Sequence, residues 1–481
     1  MKIQALRMLR RLLWLALLAA APLQAGVTVL HGFDFAEGEY PIGRVLLGQD
    51  GRIYGSTYAG GSGGLGTVFA VSRSKVHTIL HSFVGSDGQQ LDAGLVQRAD
   101  GTLFGSTPQG TITVGHVVTS FGGTVYSLAP DGSAFATLRS LPGNGQPEGR
   151  DPGQLVDGGD GFFYGTMRYG GSLGASGFGT LFKVAADGTL TTLLEFTPAR
   201  GYYPHRQLSL GSDGRLYGAL QVGPGGLANG AVFAIGRDGS GYTVLHQFSG
   251  SDGSAPSGAL LERGGVFYGV TASGGPKGAG TLFRMAPDGT MATLYAFNGG
   301  DGSGPVGPLV AGPDGNLYGL TSGGGSTGGT IFRLSTGGAF MTLHRLTTFD
   351  GINPANGPVM DASGTLFAST TQYGGGSLAT GSVFEFDALA PQPAGLSLDK
   401  RCYNEFNTCF KPFNTAVGLP YDVFWSSENL SSCLASGAWS GPQPSGGRIQ
   451  VTPTRPGLYT YRLVCTGPGG RKAATVTVSV I

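Results

Sequence analysis

Short runs of alternating apolar and polar residues follow one another along most of the chain and are separated by glycine-rich turns. Runs rich in β-branched and aromatic residues, bounded by Asp-Gly or Gly-Gly pairs, are typical of antiparallel strands joined by hairpins. The pattern repeats with a period of about fifty residues. Its most regular phrase is Asp-Gly-x-Leu-Tyr-Gly, seen first at residues 50–55. The aromatic residue of this phrase is found at Tyr54, Phe104, Tyr164, Tyr217, Tyr268, Tyr318 and Phe367.

Each repeat contains four strand-like runs, so the seven repeats predict an all-β fold with a seven-bladed β-propeller over residues 26–389. The two ends of this region complement each other. No fourth run follows the third run of the last repeat at residues 381–384, whereas residues 27–33 form a fourth run with no repeat before it. We therefore expect the first strand to complete the last blade and to close the ring, which leaves no open blade edge.

The repeat pattern stops at a proline-containing stretch, residues 390–396, which we interpret as a linker. Residues 397–481 alternate with period two in several runs, which predicts an immunoglobulin-like β-sandwich. All four cysteines lie in this region, and we expect disulfides Cys402–Cys409 and Cys433–Cys465, one of three connectivities. We expect a cysteine pair to cross between the two sheets of the sandwich.

The N-terminus has basic residues from Lys2 to Arg11, then an apolar run at 12–21 and small residues that end at Ala25. This order is typical of a secretory signal peptide, here residues 1–25, and the alternative is an uncleaved anchor. The run is too short to span a bilayer with these flanks, so we expect no transmembrane segment. The predicted location is secreted, periplasmic or at the cell surface.

Composition narrows the classes of function. Lys and Arg total 30 against 29 acidic residues, and no basic tract is present, so a nucleic-acid partner is not expected. Glycine is very frequent, at 90 residues, but it recurs at fixed positions and 40% of the chain is hydrophobic. We therefore expect a folded protein rather than a disordered one.

An acidic residue occurs at one position of the predicted blade-to-blade loops in five of the seven repeats: Glu37, Asp87, Asp252, Asp301 and Asp350. One interpretation is a turn, since carboxylates of this kind bond nearby backbone N–H groups. The other is a candidate cation rim. No calcium-loop motif is present, so Ca²⁺ is unsupported by motif and we expect no cofactor and no metal.

Residues that depart from the repeat are the better candidates for ligand binding. They lie in the longest loop, residues 107–123, and in the blade-to-blade loop in which an arginine replaces the acid. Aromatic rings there could stack on a sugar, although a packed loop is the alternative. No metalloprotease motif or nucleophile elbow is present, so we assign no catalytic residue. The candidates are His116, Phe121, Arg200, Tyr202, Tyr203, His205 and Arg206.

The repeat phrases at residues 53–57, 60–61 and 66–69 resemble the bacterial GloVer-type tandem repeat of choice-of-anchor exported proteins. The C-terminal stretch, with Trp-Ser-Ser at 425–427 and Ser-Cys-x-Ala-Ser-Gly at 432–437, resembles bacterial Ig-like domains. The resemblance implies a propeller and a surface or secreted location. It implies no particular activity.

We expect an exported, non-enzymatic binding or scaffold protein that is a monomer. Its long-loop face would bind an extracellular glycan or protein, because long loops on a rigid scaffold usually carry function. The first alternative is a secreted polysaccharide lyase or hydrolase with a site over the channel. Converging polar groups such as His116, His205 or Arg206 in one pocket would favour it. The second alternative is a structural component of the surface or matrix.

Overall fold

A computed structural model describes residues 26–481, except 115–116, 143–147, 174–176, 325–327, 376–379, 390–394, 403–413, 416, 419–420, 429, 431, 444–445 and 468–469. The described chain is all-β, with one short 3-10 turn at Pro224–Gly226. In this part of the chain no helix has the length and apolar character needed to cross a membrane.

Seven antiparallel sheets, which we number in chain order, occupy the repeat region. The strands up to the end of sheet 3, which include the N-terminal strand β1 and the separate pair β8 and β9, are β1 (Val27–Gly32), β2 (Leu46–Leu47), β3 (Ile53–Ser56), β4 (Thr67–Val71), β5 (His77–Ser82), β6 (Val96–Gln97), β7 (Leu103–Thr107), β8 (Gly110–Val114), β9 (Val117–Phe121), β10 (Thr124–Leu128), β11 (Ala136–Ser140), β12 (Arg150–Pro152), β13 (Val156–Asp157), β14 (Phe162–Tyr169), β15 (Thr180–Ala185) and β16 (Leu190–Glu195). Those of sheets 4 to 7 are β17 (Tyr202–Leu210), β18 (Arg215–Val222), β19 (Ala231–Gly236), β20 (Thr243–Gln247), β21 (Ser254–Arg263), β22 (Val266–Ser273), β23 (Thr281–Met285), β24 (Met291–Ala296), β25 (Ser303–Ala311), β26 (Leu317–Gly323), β27 (Thr330–Leu334), β28 (Phe340–Arg345), β29 (Val359–Met360), β30 (Thr365–Thr370) and β31 (Ser382–Asp387).

Six of these sheets have four strands, and sheet 3 has five because its first strand is split into β12 and β13. One predicted loop differs from expectation. Within residues 107–123, strands β8 and β9 pair to form an additional two-stranded hairpin. The threonines and valines of this segment explain the difference, since β-branched residues in alternation favour a strand over an irregular loop.

The seventh sheet combines the two ends of the repeat region, as the sequence predicts. β1 pairs antiparallel with β31, with Val27 opposite Phe386 and Gly32 opposite Ser382. A separate hydrophobic cluster lies between each two consecutive sheets. A further cluster joins the seventh sheet to the first, with Phe367 and Val383 packed against Val45 and Phe69. The seven sheets therefore close a ring of contacts.

Packing explains why the repeat phrase is conserved from unit to unit within the chain. In four units the tyrosine hydroxyl donates a hydrogen bond to the aspartate four residues earlier, as Tyr318 does to Asp314 at 2.8 Å. The glycine after the tyrosine lies under an aromatic ring of the third strand. A Cβ placed on Gly319 would come within 2.4 Å of the Phe332 ring, so only glycine permits this contact at the observed spacing.

The C-terminal region consists of two further sheets. Their strands are β32 (Gly395–Cys402), β33 (Asn414–Thr415), β34 (Tyr421–Glu428), β35 (Ser432–Gly437), β36 (Gly441–Gln443), β37 (Gly446–Val451), β38 (Gly457–Gly467) and β39 (Gly470–Val480). The sheet orders are β32-β34-β37 and β33-β39-β38-β35-β36. β32 begins inside the range that we interpreted as a linker.

A disulfide joins Cys433 and Cys465, the pair expected from the sequence. The expectation that a cysteine pair crosses between sheets is wrong for these two residues. They lie directly opposite each other on β35 and β38, which are neighbours in one sheet. The bond therefore cross-links two strands that already share a hydrogen-bonded ladder. The predicted partner of Cys402, Cys409, lies outside the described residues.

Candidate functional site

The five acids of the candidate cation rim each bond to a side chain of the preceding strand. A histidine Nε2 lies 2.8–3.0 Å from the carboxylate of Glu37, Asp87, Asp252 and Asp350, and Tyr295 donates to Asp301. The four aspartates also accept a backbone N–H from the start of their own loop. The structure thus places these acids in five different loops, each bonded to the preceding strand and the four aspartates also to their own loop, rather than bringing them together around one point.

The pKa values of the rim acids reflect these bonds. Burial opposes ionisation of Asp87, Asp252 and Asp350, but hydrogen bonds from histidine and backbone N–H outweigh it and hold their pKa values below the usual range. Burial dominates at Asp301, which is fully buried, and raises its pKa. Bonded carboxylates of this kind stabilise the loops that connect one sheet to the next.

The structure places the described candidate ligand residues in three separate locations. Tyr202 packs on Phe178 with ring centroids 4.9 Å apart, and Tyr203 packs on Tyr169 at 5.5 Å. Arg200 is exposed and donates to the carbonyl of Glu195, the last residue of β16. The two tyrosines therefore pack on neighbouring aromatic rings, whereas the Arg200 side chain faces solvent.

Phe121 lies at the end of the additional hairpin, opposite Gly110. Its ring occupies the space above that glycine, where a Cβ would come within 1.9 Å of it. His116 lies outside the described residues.

His205 and Arg206 lie instead on the wall of a central cavity of about 200 Å³. The wall is supplied by segments that lead into sheets 1, 2, 3 and 7 and by β17 of sheet 4. Its lining residues are Ile42, Asp92, Ala93, Gly94, Gln154, His205, Arg206, Gln207, Ala355 and Asn356. The cavity is therefore shared by five sheets and is not a groove on one sheet.

β17 of sheet 4 contains an irregularity next to the cavity, and the first strands of sheets 5 and 6 have the same one. The pairing of β17 with β18 shifts register between Pro204 and Leu208. A β-bulge of this kind changes where a strand aims its side chains and is frequent next to binding sites. Here it accompanies three successive residues, His205 to Gln207, that all line the cavity.

Arg206 forms ion pairs with two carboxylates from different sheets. Its Nη1 contacts Asp92 of sheet 2, and its Nη2 lies 2.5 Å from Oδ1 of Asp151 of sheet 3. Asp151 has a positive φ of 64°, but the residue before the proline-like position also has a positive φ in other units, for example Tyr203 and Asn353. The backbone conformation at Asp151 is therefore a property of the scaffold, whereas the charge is particular to this unit.

A chain of amides crosses the cavity. The Nε2 of Gln207 donates to Oε1 of Gln154 at 3.1 Å and to Oδ1 of Asn356 at 2.8 Å. The Nδ2 of Asn356 donates in turn to the carbonyl of Ile42. These bonds connect sheets 3, 4, 7 and 1 and hold the polar wall in place.

Burial changes the protonation of the wall. It raises the pKa of Asp92 to about 6, with Arg206 opposing the change, and it also raises the pKa of Asp151. It lowers the pKa of His205 to about 4, and the neighbouring Arg206 lowers it further. At neutral pH the cavity therefore contains a neutral imidazole, and Asp92 titrates close to neutrality.

Two buried acceptor atoms of the wall, Oδ1 of Asp92 and Oε1 of Gln207, lack a hydrogen-bond partner among the described residues. The buried Nδ1 of His205, whose role as donor or acceptor depends on the tautomer, also lacks one. Gln207 as a whole is only 5% exposed. An unpartnered buried acceptor costs about 1–3 kcal/mol, so a bound group that donates hydrogen bonds would recover stability here.

Sequence reasoning identified His205 and Arg206 but missed Asp92, Asp151, Gln154, Gln207 and Asn356. A signal was available. The second residue after the proline-like position of each blade-to-blade loop is glycine or alanine in sheets 1, 2, 5 and 6, as at Gly258 and Gly307, but it is polar in sheets 3, 4 and 7. Comparing this position across the repeats would have found Gln154, Arg206 and Asn356, but not Asp92, Asp151 or Gln207, which lie at other offsets.

Comparison with known proteins gives one family match. The model of the Gloeobacter/Verrucomicrobia repeat matches residues 110–310 and 209–384, more than half of the chain. No curated protein sequence matches the chain.

Two solved structures align with most of the chain at low sequence identity. The extracellular domain of a protein described as a hybrid two component system from B. thetaiotaomicron is 10% identical, with a TM-score of 0.49 over 95% of this chain and 57% of that one. The extracellular domain of a one component system from the same organism is 8% identical, with a TM-score of 0.48 over 95% and 58%. The chain thus spans less than two thirds of the length of these two structures.

Proposed function

Because the chain belongs to the Gloeobacter/Verrucomicrobia repeat family, we propose that it is an exported β-propeller protein that binds a small polyhydroxylated ligand in its central cavity. The terminal sugar of an extracellular glycan has this chemistry. The location is secreted, periplasmic or at the cell surface. Support for export comes from the basic and apolar N-terminal segment and from the Cys433–Cys465 disulfide, since disulfides persist in oxidising compartments.

The architecture that we propose is a seven-bladed propeller followed by an Ig-like sandwich. Seven sheets of four or five strands, with a hydrophobic cluster at each junction including the one between the last and the first, support the propeller. Two packed sheets support the sandwich, which would act as a spacer or an adhesive module. Asn298 of the repeat region donates to the carbonyl of Gly446, so the module lies against the ring near that loop.

The unpartnered acceptors of the cavity wall carry the proposal for the ligand. Sugar hydroxyls donate hydrogen bonds, and the wall offers Oδ1 of Asp92 and Oε1 of Gln207 to receive them. The cavity volume corresponds to about seven water molecules at ~30 Å³ each. This size suits one sugar ring rather than an oligosaccharide, so only the end of a glycan would enter.

The test is a glycan array followed by titration calorimetry with the sugar that binds. The substitution Gln207→Leu removes the acceptor and keeps a similar side-chain volume. We expect the sugar to bind at least about tenfold more weakly. A lost hydrogen bond with an uncharged group is worth ~0.5–1.5 kcal/mol, and the sugar hydroxyl that is left without a partner adds to the cost. Gln247→Leu is the matched control, because Gln247 lies on the outer strand of the same sheet. Equal affinities for both variants would place the ligand elsewhere, and no ligand at all would favour a purely structural role.

One observation favours a second function, a polysaccharide hydrolase or lyase. Asp92 and Asp151 flank Arg206, and burial raises both of their pKa values, that of Asp92 to about 6. A carboxyl group that titrates near neutrality can act as a general acid or base. Release of reducing ends or unsaturated products from a polysaccharide panel, lost in Asp92→Asn, would favour the enzyme; binding without turnover would favour the binding protein.

A further inference from the structure

Three side chains with metal-ligating atoms meet where the ring closes, away from the central cavity. They are His31 on β1, Glu37 in the following loop and His77 at the start of β5. One ligand atom from each lies within 4.8 Å of the others. The Nε2 of His31 is 2.9 Å from Oε2 of Glu37, and the Nδ1 of His77 is 3.7 Å from Oε1 of the same carboxylate. The cluster thus connects the seventh sheet to the first.

Glu37 differs from the other rim acids in what it does. The aspartates at the equivalent position accept a backbone N–H of their loop, as Asp87 does from Val84 and Asp252 does from Ser249. In the loop after β1, Asp34 instead accepts the backbone hydrogen bonds, from the N–H groups of Ala36 and Glu37. The longer Glu37 side chain is therefore free of the turn, and its two oxygens face two imidazoles.

His77 also departs from the repeat. In two other sheets the residue equivalent to His77 is a phenylalanine that stacks on the side chain bonded to the rim acid. Phe135 stacks on His81 with ring centroids 3.6 Å apart, and Phe340 stacks on Tyr295 at 3.9 Å. His77 stacks on His31 in the same way, with centroids 4.0 Å apart. Phenylalanine is sufficient for this stacking in other sheets. The fold therefore does not require the ring nitrogens of His77, and they are available to bind a ligand.

We propose that His31, Glu37 and His77 bind a zinc-class transition-metal ion that joins the closing strand to the first sheet. Two imidazoles and one carboxylate form a ligand set typical of zinc sites with an open fourth position. To bind the ion, the ligating nitrogens of His31 and His77 would have to approach to about 3.3 Å, the separation in a tetrahedral zinc site, and the stacked rings would have to tilt. The His77 side chain is 9% exposed and Glu37 is 37% exposed, so an ion would enter from the Glu37 side.

The consequence is a site that reinforces ring closure. The contact between the first and seventh sheets brings together chain ends more than three hundred residues apart, as in the bond from Arg44 to Pro358. A ligand that binds only the folded state stabilises it according to its concentration and affinity. Metal at this cluster would therefore raise the stability of the whole ring, independently of any ligand in the cavity.

The experiment uses tag-free, metal-stripped protein, titrated with Zn²⁺ and with Co²⁺ as a spectroscopic probe. We expect one ion per chain, visible d–d absorption of bound Co²⁺ and a rise in Tm of about 2–5 °C at a zinc concentration 100-fold above Kd. His77→Phe should abolish these effects while keeping the fold, because phenylalanine occupies this place in other sheets. Glu37→Gln is the second variant and should weaken zinc binding at least tenfold while retaining an acceptor for His31.

His246→Gln is the matched control, since it removes one histidine of an equivalent His–Asp pair outside the cluster. Its zinc response should equal that of the unaltered protein. Three results would each overturn the proposal: no Co²⁺ absorption together with no shift in Tm, unchanged zinc binding in both His77→Phe and Glu37→Gln, or loss of the response in His246→Gln.

Discussion

Replacing Asp92 by asparagine should stabilise the protein at neutral pH. The carboxyl group is buried, its side chain is 17% exposed, and burial raises its pKa from 3.8 to about 6. An acid whose pKa is raised in the folded state binds more protons there than in the unfolded state, so stability falls as pH rises between the two values. Asparagine is neutral at every pH and avoids this penalty, and Arg206 keeps its ion pair with Asp151.

The size of the stabilisation by Asp92→Asn follows from the raised pKa of Asp92. At about 1.4 kcal/mol per pKa unit, the penalty above pH 7 is about 3 kcal/mol, of which about 1 kcal/mol remains at pH 4.5. Near Tm a chain of this size has a large unfolding entropy, so the gain corresponds to about 3–4 °C. The gain should be greatest at pH 7.5 and should shrink towards pH 4.5.

Differential scanning calorimetry and urea unfolding at both pH values measure this change. The control is Asp288→Asn at an exposed turn, where the backbone N–H of Thr290 lowers the pKa of Asp288. A lowered pKa stabilises the folded state at neutral pH, so this variant should lose stability at pH 7.5. A loss of stability in Asp92→Asn at pH 7.5, or a gain that does not depend on pH, would refute the assignment of a buried, destabilising carboxylate to the cavity.

Two further predictions concern the scaffold. Tyr318→Phe removes the hydrogen bond to Asp314 and should cost about 1 kcal/mol in urea unfolding, whereas Tyr268→Phe should be nearly neutral because a glycine occupies the aspartate position of that unit. Leu30→Ala on β1 should cost about 2–5 kcal/mol, as much as the equivalent Leu80→Ala, since the two leucines are 3% and 7% exposed. A change of under about 1 kcal/mol at Leu30 alone would mean that the closing strand contributes little to the folded ring.

The pairing of the first strand with the last sheet could be predicted because it depends on pattern alone. The repeat lacks one strand at its end and has one strand too many at its start, and an unpaired strand edge is unfavourable. The role of the phrase glycine follows from similar local logic, since a Cβ on Gly319 would come within 2.4 Å of the Phe332 ring; in the seventh unit Ala368 takes this position, opposite Phe384. These features repeat, so one unit predicts the next.

The division of the candidate cluster in sheet 4 could not be predicted in this way. Tyr203 and His205 are two residues apart in one strand, yet one packs on the aromatic ring of Tyr169 and the other lines the cavity. The register shift after Pro204 accompanies this change of direction, but sheets 5 and 6 have the same shift, at Ser257–Leu261 and Val306–Val310. What distinguishes sheet 4 is the set of residues from other sheets that its shifted segment meets at the cavity. The partners of Arg206 were missed for a related reason, because Asp92 and Asp151 lie in other sheets.

By itself the sequence determined the all-β repeat, the closing strand and the family, because each rests on residues close together in the chain or on a pattern that recurs. Only the tertiary structure decided which charged and polar side chains line the cavity. Asp92, Arg206 and Asn356 are far apart in the chain and become neighbours when the ring closes, as do His31 and His77 at its junction. Chemistry at these two places depends on distances between sheets, and those distances are set by the packing of the whole ring rather than by any single repeat.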